Sequence, residues 1–117
     1  MANQKAGQVV KVGNYELHAF KNGEFGLAQE HGNRLCYFGD RHAAVNYALR
    51  SAFGFKDPEY TYDVGFCEVR VYSKDAVSVV HVGDERSYTV HNFFDSERDA
   101  LDYANGVNLK YHGVFEQ

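Results

Sequence analysis

Five acidic residues in the later half of the chain are the first side chains whose spacing points to a task. Asp95, Asp99 and Asp102 stand at i, i+4 and i+7, which puts them on one face of a helix. Asp84 and Glu85 belong to a turn shortly before it. Such a stripe can meet a basic protein surface and imitate the phosphate spacing of a nucleic acid. The helix dipole also draws acids to a first turn, which accounts for Asp95, Glu97 and Asp99 but not for Asp102. Phe94 lies beside them as an apolar anchor, with Phe93, Tyr60 and Tyr62 as further candidates. Adjacent Phe93 and Phe94 point to opposite faces of a strand, so one of the two is expected at the surface.

The other reactive residue types are scattered. His18, His31, His42, His81, His91 and His112 include no pair at helical ligand spacing, and Cys36 and Cys67 form no close pair. No metal site and no cofactor are expected. His31 and His42 read as solvated. No Gly-x-Ser-x-Gly turn and no phosphate-binding glycine loop is present. Both cysteines read as buried, inert thiols, with Cys67 taking the place of Tyr15 on an apolar face. These residues favour a binding role without catalysis.

The elements that must position the acids follow from the rest of the chain. Its 117 residues suit one domain, and an apolar fraction of 44% is enough for a core. No apolar run approaches the length of about 18 residues that a membrane helix needs. Residues 1–5 lack the apolar stretch of a signal peptide, so a cytoplasmic location is expected. Charge divides unevenly. Residues 1–58 carry seven Lys/Arg against five Asp/Glu, and residues 59–117 carry five against eleven. The net values are +2 and −6, which bears on partners rather than on fold.

An internal repeat organises the chain. Residues 15–20 and 67–72 both alternate in character, and Phe25 and Leu27 match Val77 and Val79 at the same offset of 52 residues. A third strand is expected over 34–38 and again over 86–90. The helical segments Ala44-Val45-Asn46-Tyr47-Ala48 and Ala100-Leu101-Asp102-Tyr103-Ala104 match at an offset of 56, with the four extra residues placed at 91–94. Asp40 is expected to cap the first helix, and Asp95 or Ser96 the second. The apolar stripe Ala44, Val45, Ala48, Leu49 and Ala52 marks a buried face. Asn105-Gly106 is expected to end the second helix.

The expected architecture is therefore an α+β fold of two tandem βββα units forming one compact domain, 1–117, with antiparallel sheet and two helices. The units span 9–53 and 64–106, joined by a connector, 54–63, and followed by a tail, 107–117.

The stretch from Tyr37 through Phe38-Gly39-Asp40 to Leu49, and its counterpart Phe94-Asp95-Ser96 leading to Ala100-Leu101, resemble the strand-and-helix modules of phage integrase arm-binding domains and of APETALA-type plant DNA-binding domains. They also resemble the small sheet-and-helix proteins with which phages block host defences, anti-CRISPR proteins among them. The resemblance implies either contact with nucleic acid or inhibition of a host protein. DNA-binding modules of this kind use a basic sheet face, and here Glu16, His18 and Phe20, like Glu68, Arg70 and Tyr72, mix signs.

The leading expectation is a non-enzymatic, inhibitor-like protein-binding module. Asp84, Glu85, Phe94, Asp95, Asp99 and Asp102 would face a protein with a basic surface, such as a host nucleic-acid-binding complex. The alternative is nucleic-acid binding by the basic first unit through Lys21, Arg34, Arg41 and Arg50. Open sheet edges also allow a homodimer.

Overall fold

A computed structural model describes residues 8–29, 35–83 and 87–115. The chain divides into two compact units, Met1–Phe55 and Lys56–Gln117, and each is an antiparallel four-stranded sheet with one helix. The fold class is α+β, but each unit is ββββα, one strand richer than expected.

The first unit runs β1 (Gln8–Val12), β2 (Tyr15–Ala19), β3 (Phe25–Gln29), β4 (Leu35–Phe38) and α1 (Arg41–Phe53). The second runs β5 (Tyr60–Val64), β6 (Cys67–Ser73), β7 (Ala76–Val82), β8 (Thr89–Phe94) and α2 (Glu97–Phe115). Each sheet follows chain order, β1-β2-β3-β4 and β5-β6-β7-β8, so every connection is a hairpin.

The added strands come from one shared device. Gly13 and Gly65 each open a two-residue turn between paired residues, Val12 opposite Tyr15 and Val64 opposite Cys67. Their φ angles are 61° and 60°, the left-handed values that such hairpins require and that glycine adopts without strain. Both turns also press on their unit's helix. A Cβ at Gly13 would lie 3.1 Å from Cβ of Ala52, and one at Gly65 would lie 2.5 Å from the amide of Asn108. Positions 13 and 65 differ by the same 52 residues as the strands, and 52 and 108 by the same 56 as the helices. The duplication thus extends to the packing of turn on helix.

Each helix covers one face of its sheet. In the second unit Val69 stands opposite Val79, and Val71 opposite Val77. With Cys67 and Phe94 they receive Ala100, Ala104 and Val107 from α2. In the first unit Leu17 stands opposite Leu27, and α1 buries Ala44, Val45, Ala48 and Leu49 of the expected stripe, while Ala52 is half-buried. Alanines at i and i+4 let each helix lie close to its strands. Burial of each such Val or Leu contributes about 1.5–3 kcal/mol.

Asp40 caps α1 as expected, its carboxylate accepting the Ala43 N–H at 3.0 Å. Ser96, rather than Asp95, caps α2, its hydroxyl accepting the Asp99 N–H at 3.1 Å. The helix does not stop at Asn105-Gly106. It continues to Phe115, so residues 107–115 of the expected tail are helical. Val107 and Asn108 explain why. Val107 keeps the buried phase of Ala100 and Ala104, and Asn108 bonds the β5–β6 turn, which together outweigh the cost of about 1 kcal/mol for an interior glycine. The last strand of the second unit, expected over 86–90, is Thr89–Phe94. The four extra residues of the repeat therefore precede it, in the segment between β7 and β8.

Candidate functional site

α2 presents the acidic face. Asp99 and Asp102 are exposed, together with Arg98, Asn105, Gly106 and Lys110, and Leu109 is 80% exposed on the same side. This outward arc is the complement of Ala100, Ala104 and Val107. Asp95 does not share it as a helical residue. It precedes the cap and is half-buried, because Ser96 takes the capping position. Asp84 and Glu85 lie outside the described residues.

Glu97 is drawn inward by Tyr62, whose hydroxyl donates to its carboxylate. Burial, then this bond and the charge of Glu97, push the Tyr62 phenol up to about 12. Of the acids around the start of α2, then, one is held by β5 while Asp99 and Asp102 face outward.

The aromatic anchors are placed differently from expectation. Neither Phe93 nor Phe94 is at the surface, their exposures being 0% and 8%. Phe94 packs in the core against Tyr103 of α2, at 5.2 Å between ring centroids. Phe93 points to the other face of β8, where it meets His91 at 4.7 Å and Tyr72 at 5.6 Å. Both faces of β8 are withdrawn from solvent there, so Phe94 serves the core. Tyr60 is half-exposed on β5 and stands 6.2 Å from Tyr62, so these two are strand residues rather than part of a loose connector.

The basic residues of the first unit are exposed but apart. Lys21 lies in the β2–β3 loop, while Arg41 begins α1 and Arg50 lies in its last turn. Nine residues of helix separate the two arginines by about 13 Å along the axis. Arg34 lies outside the described residues.

The two thiols divide. Cys67 is buried with its Sγ 3.8 Å from the Ala104 carbonyl oxygen, and burial pushes its pKa up. Cys36 is exposed, contrary to expectation, because β4 is an edge strand with a neighbour on one side only. His42 is half-buried rather than solvated, and His31 lies outside the described residues. His18 is half-buried too, with its Nε2 3.6 Å from the Glu16 carboxylate. Among the described residues no three His, Cys, Asp or Glu side chains gather as metal ligands would.

One constellation escaped the sequence. His81 is only 8% exposed and belongs to the helix-covered face of β7. Its Nδ1 lies 2.9 Å from the Val82 carbonyl oxygen, which can only accept, so the ring proton sits on Nδ1. Nε2 then accepts from the Tyr103 hydroxyl at 2.8 Å, and that oxygen accepts from Nδ2 of Asn92 at 3.0 Å. The signal was available: His81 stands in phase with Val77 and Val79, so a polar ring was due in the core and needed a partner.

No family model, curated protein or solved structure matches this chain.

Proposed function

We propose that this chain is a non-enzymatic protein-binding module whose second unit covers a basic surface on its partner, in the manner of the small phage-type inhibitors that its units resemble. The observation that carries this is the outward face of α2, where Asp99 and Asp102 stand exposed beside the exposed Leu109. Asp102 lies beyond the first helical turn, so the dipole does not account for it. Carboxylates steer a basic partner from a distance, and a neighbouring apolar side chain holds it after contact. The −6 net charge of residues 59–117 works in the same direction and opposes phosphate binding by this unit. Occlusion of a host nucleic-acid-binding complex is the mechanism that fits such a face.

The test is capture of partners from a host lysate by the wild-type chain and by the double variant Asp99→Lys, Asp102→Lys, each identified by mass spectrometry. A protein with a basic surface retained by the wild type and lost by the variant is expected. The same captured set for both chains would refute an acidic contact.

The exposure of Lys21, Arg41 and Arg50 supports a second reading, nucleic-acid binding by the first unit. A gel shift at two salt concentrations separates the two, since phosphate-driven binding weakens steeply with salt.

A further inference from the structure

Beside the His81–Tyr103–Asn92 network lies a cavity of about 440 Å³, within the range of about 300–1,000 Å³ usual for small-molecule sites. It is bounded by the end of β7, the start of β8 and the C-terminal half of α2. Three kinds of group line it. Val90 and Val107 form apolar walls with the half-exposed ring of Tyr88. The rings of His81 and Tyr103 lie side by side, 5.6 Å apart between centroids. Lys110, one turn beyond Gly106, contributes a cationic side chain to the lining.

The hydrogen-bonding groups restrict what fits. His81 Nδ1 is committed to the Val82 carbonyl oxygen, Nε2 to Tyr103, and the Tyr103 hydroxyl both donates and accepts. Both ring nitrogens of His81 are thus engaged within the fold and ask for no polar group from an occupant. The apolar walls and rings favour a flat hydrophobic body, and Lys110, the one cationic side chain among the described lining residues, favours a single negative end.

We propose that this cavity binds a small amphiphilic anion of the aromatic carboxylate class, its ring against Tyr88, Val90 and Val107 and its carboxylate at Lys110. The site lies within the second unit and uses none of the carboxylates of the outward face of α2.

The experiment is a titration of the full-length chain, followed by amide chemical shifts, with indole-3-acetate and with its neutral amide, indole-3-acetamide. Two variants accompany it. Lys110→Met keeps the stem and removes the charge. Gly106→Leu places a side chain at the cavity edge, where a Cβ meets nothing within 4 Å, and the change favours the helix, so the variant folds. Saturable shifts at Tyr88, Val90 and Val107 are expected with indole-3-acetate at millimolar concentration. Binding at least about tenfold weaker is expected for the amide and for Lys110→Met, and loss of the shifts for Gly106→Leu. Absence of saturable shifts in the folded wild type would overturn the site. Equal binding of acid and amide would overturn its anionic class, and unchanged binding by Gly106→Leu would overturn its location.

Discussion

Asn108 closes over Gly65 with both ends of its amide. Its Oδ1 accepts the Phe66 N–H at 2.8 Å, and its Nδ2 donates to the Val64 carbonyl at 2.8 Å. The residues on either side of the glycine are thereby tied to α2 beyond Gly106, an interior glycine of the helix. Asn108→Ala removes both bonds and is expected to lower stability by about 1–2 kcal/mol. Gly65→Ala is expected to cost more, since it combines φ 60° with a clash against the same amide. Urea denaturation of the two variants checks the order.

Tyr62 and Glu97 make stability depend on pH at the alkaline end. The phenol is raised from its ordinary 10.0 to about 12 by burial first, then by the Glu97 carboxylate and by Tyr60. Between those values the folded chain keeps a proton that the unfolded chain has lost. The stabilisation is therefore whole below pH 10 and declines as pH rises through 12. Tyr62→Phe is expected to be less stable than wild type at neutral pH, and the difference should shrink across this window. Thermal melts at stepped pH measure it.

The thiols should report the fold by their reactivity. Cys36 is exposed and Cys67 is buried with a raised pKa. A thiol reagent at neutral pH is expected to label Cys36 in the folded chain and Cys67 only after denaturant is added. Peptide mass mapping distinguishes the two. Rapid labelling of Cys67 without denaturant would mean that α2 does not cover β6.

Tyr103 joins two polar side chains, His81 of β7 and Asn92 of β8. Tyr103→Phe keeps the ring against Phe94 and removes the hydroxyl. Leaving the His81 nitrogen and the Asn92 amide without that partner is expected to cost about 1–3 kcal/mol. Denaturation of Tyr103→Phe, of Asn92→Leu and of the double variant tests it, since removal of both partners should cost less than the sum of the single losses.

The fold was legible where a local rule had no competitor. Alternation disclosed the strands around Leu17 and Val69, and helical spacing disclosed the stripe from Ala44 to Leu49. Asp40 disclosed its cap by residue type. β1 and β5 are hard to see in the sequence because their turns are short. Gly13-Asn14 and Gly65-Phe66 close hairpins in two residues, and Tyr60–Val64 reads as a linker after Pro58 although its β-branched and aromatic residues suit a strand. Gly106 misled because glycine propensity yields to tertiary contacts when the next two residues, Val107 and Asn108, are both engaged.

The candidate site was legible only in part. Asp99 and Asp102 could be placed on a helix by spacing, and their exposure agrees with that placement. Phe94 could not be placed, because a ring next to a ring on one strand is ambiguous until both faces of that strand are seen. Asp95 was lost to the helix by one residue, since Ser96 competes with it for the cap. His81, Tyr103 and Lys110 are 29 positions apart at the extremes and meet only through the packing of α2 on β7.

The acidic face of α2 is tested most directly by affinity for the captured partner at low and high salt, for the wild type and for Asp99→Lys, Asp102→Lys. Binding by the wild type should weaken with salt, and the double reversal should bind about tenfold or more weakly at low salt, with the gap narrowing as salt is added. Equal affinities of the two chains at low salt would contradict the account.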